Sequence, residues 1–168
     1  MNLLAPYITL DNVQLDIDVS SRKRLFEEAS LMFEHAYGIP HTRSFEALIA
    51  REKIGSTCVG AGCAIPHGRL KELDKTIIVL IRTKDPIPLS TPDGKDVRLF
   101  LCLLIARQDN DTYLALLREC AAFLQNRNMR QALLDAQTPL EVCQIIHDWI
   151  PPEGLHLDLS FEEQSQEQ

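Results

Sequence analysis

Residues 51–69 read REKIGSTCVGAGCAIPHGR and hold four of the seven glycines in the chain, together with hydroxyl, cationic and imidazole side chains. Pro66 fixes its own φ and favours an extended conformation at Ile65, the residue before it. Gly68 gives the backbone a conformational freedom that other residues lack. His67 is therefore predicted to occupy a defined position between a rigid neighbour and a permissive one.

The chemistry that this stretch favours is a phosphoryl group carried on His67. If the local chain is extended, Arg69 lies on the same side as His67, and nearby glycine amides are able to form a concave anion site. An imidazole near its reference pKa of about 6.5 is largely neutral at cytoplasmic pH. A ring nitrogen is then free to attack phosphorus, while cations and amides stabilise the charge in transit.

Other interpretations of the same residues are weaker. Cys58, Cys63 and His67 do not have a standard zinc spacing, and a fourth ligand is not evident. Cys63 and His67 would be about 13 Å apart along a strand, too far for a thiol nucleophile and its base. The glycines at 60–62 lack the third glycine or the lysine of nucleotide-binding motifs, which disfavours ATP and NAD. A histidine with a purely structural role is the remaining alternative.

The residues before this stretch predict a strand and two helices. Apolar and polar side chains alternate from Val13 to Ile17, as in a half-buried strand. A helix capped by Ser20 or Ser21 follows, and a second helix extends from its cap at Thr42 to Lys53. The side chains predicted to be buried on these two helices are Leu25, Ala29, Met32, Phe33, Ala36, Phe45, Leu48 and Ile49.

The residues after it predict buried strands and then helices. The apolar runs Ile77–Ile81 and Leu99–Ala106 lack alternation, which is typical of strands covered on both faces, and residues 91–94 have turn chemistry. Helices are predicted after Asp109–Asp111, over Met129–Ala136 and from a capping box at residues 138–141. Their predicted buried side chains are Leu114, Leu117, Ala121, Leu124, Val142, Ile145, Ile146 and Trp149. The fold class is therefore α/β, with helices on both faces of a sheet.

The composition of the chain argues against nucleic-acid binding and membrane insertion. The chain has 168 residues with 17 basic and 24 acidic side chains, which disfavours a surface built for nucleic acid. Its longest apolar run is far shorter than the ~20 residues of a membrane span, so we expect no membrane insertion and a cytoplasmic protein. Residues 153–168 carry acidic side chains and no lysine or arginine, and we predict a mobile acidic tail there after a domain at 1–152. The histidines outside the glycine-rich stretch, His35, His41, His147 and His156, are interpreted as structural or solvated.

The pattern R-E-x-x-G-S-T-x-x-G-x-G-x-A-I-P-H-G-R at residues 51–69 resembles the signature of the type-2 enzyme IIA domains of the phosphoenolpyruvate-dependent sugar phosphotransferase system, the fructose and mannitol class. The likeness extends over about residues 3–150 and is greatest to the nitrogen-regulatory branch. It implies a compact α/β domain with a mixed sheet between helices, and no metal or dissociable cofactor. It also implies that His67 accepts a phosphoryl group from the histidine phosphocarrier protein, with Arg51 as the arginine beside the active site.

One position departs from that family. Members commonly carry a second histidine early in the helix after the long buried strand, and Tyr113 stands at the corresponding place. Tyrosine is able to donate a hydrogen bond to a phosphoryl oxygen but does not shuttle a proton near neutral pH. We predict a phosphotransfer protein with mainly regulatory, nitrogen-related output, acting on regulatory targets or on an enzyme IIB-type acceptor. Onward transfer stays open, and the alternative is a non-catalytic binding module that controls its partners according to its phosphorylation state.

Overall fold

The structure, a computed structural model, describes residues 2–107 and 110–155. Within them, two 3₁₀ turns at Ala5–Tyr7 and Leu10–Asn12 precede the first strand. The strands are β1 (Val13–Ile17), β2 (Cys58–Gly60), β3 (Cys63–Ala64), β4 (His67–Leu70), β5 (Ile77–Ile87) and β6 (Val97–Ala106). The helices are α1 (Arg22–Tyr37), α2 (His41–Glu52), α3 (Asn110–Gln125), α4 (Arg127–Asp135) and α5 (Pro139–Asp148).

The strands form one mixed sheet in the described part of the chain, in the order β1-β5-β6-β3-β2. β5 and β6 are antiparallel, whereas β1 is parallel to β5. β3 and β4 follow one another along the same edge of β6, both parallel to it, with Cys63 opposite Leu99 and His67 opposite Leu103. The strands β3 and β4 on this side of β6 therefore carry the second half of the stretch at residues 51–69.

Helices cover both faces of this sheet, which confirms the predicted fold class. Side chains of β6 alternate between two buried clusters, with Leu101 and Leu103 in one and Phe100 and Cys102 in the other. The first cluster contains residues of α3, α4 and α5, and the second contains residues of α1 and α2. From Leu99 to Ala106 the side chains on both faces of β6 are apolar, because helices cover both faces of the sheet. The result is a compact α/β domain.

Several local predictions hold and others need correction. Ser21 caps α1, as predicted, and Gly38 ends the helix in the left-handed conformation. α2 begins at His41, with Pro40 before it, rather than at a Thr42 cap. In the box that precedes α5, Thr138 accepts from the Glu141 N–H, but the Glu141 carboxylate accepts from the N–H of residue 137 rather than from that of the cap.

Two predicted buried faces are rotated relative to the observed ones. Of the three side chains predicted to be buried on α2, Leu48 is fully buried, while Phe45 and Ile49 are half-buried. On α3 the fully buried side chains include Leu116 and Phe123, which the predicted stripe lacks, whereas Leu117 is partly buried. Part of the apolar face of α3, including Leu117, lines a cavity instead of packing in the core, so Leu117 remains partly exposed.

The described residues include only the first part of the predicted tail. These are residues 153–155, where Arg118 Nη1 donates to the carbonyl oxygen of Leu155 at 2.6 Å. The prediction for residues 156–168 lies outside the described residues. None of the helices placed in residues 2–107 and 110–155 is long and apolar enough to cross a membrane.

Candidate functional site

A cavity of about 520 Å³ opens between α2, β4, β6 and α3. All four residues singled out from the sequence line this cavity: His67, Arg51, Arg69 and Tyr113. The structure therefore brings together side chains from the end of one helix, one strand and the beginning of another helix. The remaining lining residues are small or apolar: Ala47, Ala50, Ile54, Gly68, Ile105 and Leu117.

Gly68 allows α2 to lie directly against β4. A Cβ atom at Gly68 would lie 2.5 Å from the carbonyl oxygen of Ala47 and 2.6 Å from its carbonyl carbon, closer than any side chain tolerates. Gly68 is in a strand and does not adopt a positive φ, so the predicted role in turning the backbone is wrong. The glycine is needed for close packing, and Arg51, one helical turn after Ala47, is brought to the cavity in consequence.

The ring of His67 is fixed by the backbone just before it. Its Nδ1 lies 2.8 Å from the carbonyl oxygen of Ile65. A carbonyl oxygen only accepts hydrogen bonds, so the proton of a neutral imidazole is placed on Nδ1. Nε2 then carries the lone pair. The rigid Ile65–Pro66 segment thus selects the tautomer as well as the position of the ring.

The surroundings of His67 lower its pKa from the ordinary value. The largest cause is burial, which disfavours the charged ring, and the positive charges of Arg51 and Arg69 act in the same direction. The hydrogen bond to Ile65 and the negative charge of Glu52 oppose the shift but do not reverse it. The ring therefore stays neutral, and Nε2 nucleophilic, to lower pH than in a free histidine.

Arg51 extends from the last turn of α2 and is held in place by the segment that follows the helix. Its Nη1 donates to the carbonyl oxygen of Gly55 at 2.8 Å. That contact uses one donor of a planar group with five, so the guanidinium retains further donors for an anion. A cation at a helix C-terminus also interacts favourably with the helix dipole. Geometry alone therefore does not separate a role of Arg51 in binding an anion from a role in stabilising the end of α2.

Arg69 and Tyr113 are in direct contact. The guanidinium carbon of Arg69 lies 4.5 Å from the centre of the Tyr113 ring, within the range of a cation–π interaction. Arg69 is exposed on β4, while Tyr113 is half-buried in α3. Arg69 and His67 thus border the same cavity, as expected for two residues at alternate positions of a strand.

Glu52 and Thr57 support the site and were not identified from the sequence. The Glu52 carboxylate is buried and accepts from the Thr57 hydroxyl at 2.7 Å and from its N–H at 3.3 Å. This pair closes the segment at residues 53–56, which carries the carbonyl that holds Arg51. An acid followed by a hydroxyl five residues later has no helical or strand period, so only the fold reveals the contact.

The glycine-rich turn at residues 60–62 lies outside the cavity lining. Gly60, Ala61 and Gly62 all have positive φ, and the N–H of Ala61 donates to the Asp93 carboxylate at 2.8 Å. The backbone of this turn therefore binds an anion of the same chain, and the predicted anion site of glycine amides beside His67 is wrong for this turn. The hydrogen bond lowers the pKa of the Asp93 carboxyl.

The thiol and metal interpretations find no support in the geometry. The Cys63 side chain is fully buried, its thiol contacts the Ala61 carbonyl, and burial raises its pKa to about 11. Such a thiol is a poor nucleophile near neutral pH. Among residues 2–107 and 110–155, no group of three or more histidine, cysteine or acidic side chains is placed to hold a metal ion.

The other described histidines lie away from this cavity. His41 is exposed and its Nδ1 lies 2.6 Å from the carboxylate of Glu34. His35 and His147 are exposed on α1 and α5. None of the three lines the cavity around His67. His156 is outside the described residues.

Comparison with known proteins places this geometry in context. Residues 6–149 match the family described as "Phosphoenolpyruvate-dependent sugar phosphotransferase system, EIIA 2". A "Nitrogen regulatory protein" of Pseudomonas aeruginosa is 34% identical over 135 residues, which cover 80% of this chain and 88% of that protein. The crystal structure of the nitrogen regulatory protein IIA-Ntr from Neisseria meningitidis superposes with a TM-score of 0.82 at 37% identity, covering 86% of this chain and 99% of that one.

A more distant structure shares the fold alone. It is the complex of enzyme IIAMTL and phosphorylated enzyme IIBMTL from Escherichia coli, whose matching chain is 18% identical with a TM-score of 0.68. That match covers 84% of this chain and 97% of the other. The expected resemblance to type-2 enzyme IIA domains and to their nitrogen-regulatory branch is confirmed.

Proposed function

The chain belongs to the type-2 EIIA family of the phosphoenolpyruvate-dependent sugar phosphotransferase system, and on that premise we propose that it is a phosphotransfer protein whose His67 accepts a phosphoryl group from the histidine phosphocarrier protein. The observation that carries this proposal is the bond from His67 Nδ1 to the Ile65 carbonyl oxygen. It leaves Nε2 as the nucleophilic nitrogen of a neutral ring that lines an open cavity.

The transfer is a displacement between two imidazoles. The lone pair of His67 Nε2 forms a bond to phosphorus as the phosphorus–nitrogen bond of the donor phosphohistidine breaks, and that electron pair returns to the donor ring. The proton on His67 Nδ1 stays where it is, and the Ile65 carbonyl stabilises the positive charge that the ring gains. The phosphoryl group is carried covalently, so the step requires no metal and no dissociable cofactor.

Arg51 and Arg69 stabilise the transferring phosphoryl group in this proposal. Both line the cavity with His67, on α2 and β4 respectively. Guanidinium groups pair with phosphoryl oxygens through two parallel hydrogen bonds, and positioned cations offset the charge that builds up during transfer. The same charges hold the pKa of His67 down, so they favour acceptance in the unphosphorylated protein as well.

The output of this protein is regulatory in our proposal. The Pseudomonas aeruginosa relative is a nitrogen regulatory protein, and we extend that class of role to this chain. Its partners are then the histidine phosphocarrier protein upstream and regulatory target proteins downstream, in the cytoplasm. An enzyme IIB-type acceptor is the alternative recipient, by analogy with the Escherichia coli mannitol protein that shares the fold.

The test is reconstitution of the relay. The protein is incubated with labelled phosphoenolpyruvate, the first enzyme of the system and the phosphocarrier, and the label on the chain is measured. We expect acid-labile phosphorylation that His67→Ala abolishes and that the matched control His147→Ala retains, since His147 is exposed on α5. Labelling that survives His67→Ala would overturn the proposal.

A second candidate function is a binding module that responds to phosphorylation without passing the group on. Tyr113 favours it, because the residue at this place lacks the proton-transfer ability of imidazole near neutral pH. Adding an enzyme IIB-type domain with a thiol acceptor to the phosphorylated protein separates the two. Rapid loss of label from His67 to that thiol supports the relay, and label that stays on His67 supports the binding module.

A further inference from the structure

We propose that Tyr113 acts as a positioning residue, in which the face of its ring holds the Arg69 guanidinium at the cavity so that Arg69 and Arg51 both reach a phosphoryl group on His67. This inference rests on the proposed function, since it gives a role to a residue of the same site. In this proposal the ring of Tyr113 acts, rather than its hydroxyl group, which is able to donate a hydrogen bond to a phosphoryl oxygen.

Arg69 needs such a support. It is exposed on β4, and a long exposed side chain samples many rotamers, which weakens any contact that requires one of them. The Tyr113 ring lies 4.5 Å from the guanidinium carbon, and stacking against an aromatic face suits the planar guanidinium. The ring restricts Arg69 to conformations that border the cavity.

The position of Tyr113 is itself fixed by packing. The residue lies near the beginning of α3, is half-buried, and packs against the buried cluster that α3, α4 and α5 form with the sheet. Its position is therefore determined by the core rather than by solvent. A side chain with two torsions in a packed environment loses little entropy when it holds another group.

The guanidinium donors of Arg69 are not taken up by any acceptor within the part of the chain that the structure describes. Among the described residues no carboxylate forms a salt bridge with Arg69, whereas the exposed Arg43 is paired with both Glu46 and Glu72. A cation–π contact engages the face of the guanidinium and leaves its N–H groups in the plane free to bond phosphoryl oxygens. Stacking on Tyr113 therefore positions Arg69 without consuming its hydrogen-bonding capacity.

The test combines three substitutions in a double-mutant cycle. The initial rate of phosphorylation by the phosphocarrier is measured for Tyr113→Leu, Tyr113→Phe, Arg69→Met and Arg69→Met with Tyr113→Leu. Losing an exposed cation–π contact should slow the rate by about two- to fivefold, and losing the guanidinium by about tenfold or more. Tyr113→Phe, which keeps the ring, should restore the rate to within about twofold of the parent.

The decisive comparison is the effect of Tyr113→Leu on the phosphorylation rate with and without Arg69→Met. If the ring acts through Arg69, Tyr113→Leu has no further effect once Arg69→Met is present. Arg43→Met is the matched control for removing an exposed arginine, because Arg43 does not line the cavity. The proposal is overturned if Tyr113→Phe is as slow as Tyr113→Leu, if Tyr113→Leu matches the parent, or if its effect persists in the Arg69→Met background.

A titration of the unphosphorylated protein tests the pair independently of phosphotransfer. The charged groups facing His67 are Arg51 and Glu52 from α2 and Arg69 from its own strand, with Tyr113 from α3 and the apolar Ile105 from β6. The positive charge of Arg69 lowers the pKa of His67, so Tyr113→Leu, which lets Arg69 move away, should raise that pKa. The pKa is measured by NMR, and Tyr113→Leu should not change it when Arg69→Met is already present. A parent protein that no phosphocarrier labels would overturn the proposed function, while this titration would still decide the role of Tyr113.

Discussion

His67 combines three properties that a phosphoryl acceptor requires in one side chain. The Ile65 carbonyl fixes its tautomer, burial and two arginines keep the ring neutral, and the open cavity gives access to a donor. None of these properties belongs to histidine in general. Each follows from the strand position that Pro66 and Gly68 define, which is why this histidine differs from the exposed His35 and His147.

Replacing Arg51 with lysine tests whether a guanidinium, rather than a charge, is needed. Arg51→Lys keeps a cation at the end of α2, so the free energy of unfolding should change by less than about 1 kcal/mol. The phosphorylation rate should fall by about tenfold or more, because an ammonium group does not form two parallel hydrogen bonds with a phosphoryl group. Rates are measured with the phosphocarrier. A lysine variant that reacts as fast as the parent would restrict Arg51 to the helix-end role.

The pH dependence of His67 follows from the direction of its shift. Because burial and the nearby arginines lower the pKa of the folded ring below 6.5, the ring should lose its proton at a lower pH than a histidine in an unfolded peptide. Protonation is then less favourable in the folded chain, so this group makes the protein less stable as pH falls below 6.5. An NMR titration of the ring gives the midpoint. A midpoint at or above that of an unstructured peptide would contradict the assignment of the causes.

At the scale of secondary-structure elements, the site depends on how closely α2 packs on β4. The absence of a side chain at Gly68 allows the contact with Ala47, and the Glu52–Thr57 pair then fixes the chain as it leaves the helix. Arg51 and His67 are brought to one cavity by these two contacts. The packing of this helix on this strand is thus the structural basis of the proposed phosphoryl transfer.

Gly68→Ala tests that packing directly. The added Cβ would collide with backbone atoms of Ala47, so α2 has to move outward, at a cost of about 1–3 kcal/mol in the free energy of unfolding. The phosphorylation rate should fall as well, because Arg51 moves with the helix. Chemical denaturation measures the stability, with Gly55→Ala as the matched control, since a Cβ there meets no atom within 4 Å. Equal stability of the two variants would show that the close approach is not required.

Sequence patterns predicted these elements where the cause of a pattern is local. Alternation identified β1, and capping side chains located the beginnings of α1 and α5. The strand predicted to end at Ile81 continues through the buried Arg82 to Ile87. The Arg82 guanidinium binds the Asp16 carboxylate and the carbonyl oxygens at the end of α4, partners 66 and more than 50 residues away in sequence. No local pattern reveals such partners.

The same distinction explains the site. His67, Arg51 and Arg69 were predicted as site residues from one stretch of sequence, and the structure places them around one cavity. The role of Gly68 was predicted wrongly because the partner of a glycine in close packing is not visible in sequence. The Arg69–Tyr113 contact and the Glu52–Thr57 pair depend on the approach of separate elements, so only the three-dimensional structure identifies them.

At the scale of the whole molecule, the domain is a sheet covered by α1 and α2 on one face and by α3, α4 and α5 on the other. The cavity lies where one helix from each face, α2 and α3, approaches the edge that carries β4. A partner that exchanges a phosphoryl group with His67 has to approach this edge. The rest of the fold supports the geometry of that edge, and β1 lies at the opposite edge of the sheet.

The acidic C-terminal segment remains a prediction at this scale. A chain ending at Pro152 loses the hydrogen bond from Arg118 to the Leu155 carbonyl, a contact of about 1 kcal/mol. We expect its thermal midpoint to fall by no more than about 4 °C and its phosphorylation at His67 to be retained. Calorimetry and the labelling assay check both. A much larger drop would show that residues beyond Pro152 are packed against the domain.

The most direct test of the central claim is the identity of the phosphorylated atom. The protein is labelled with ¹⁵N in its histidine rings, phosphorylated through the phosphocarrier, and examined by NMR for coupling between phosphorus and ring nitrogen. We predict coupling to Nε2 of His67, with Nδ1 retaining its proton against the Ile65 carbonyl. Coupling to Nδ1 of His67, or to a ring nitrogen of any other histidine, would contradict the account.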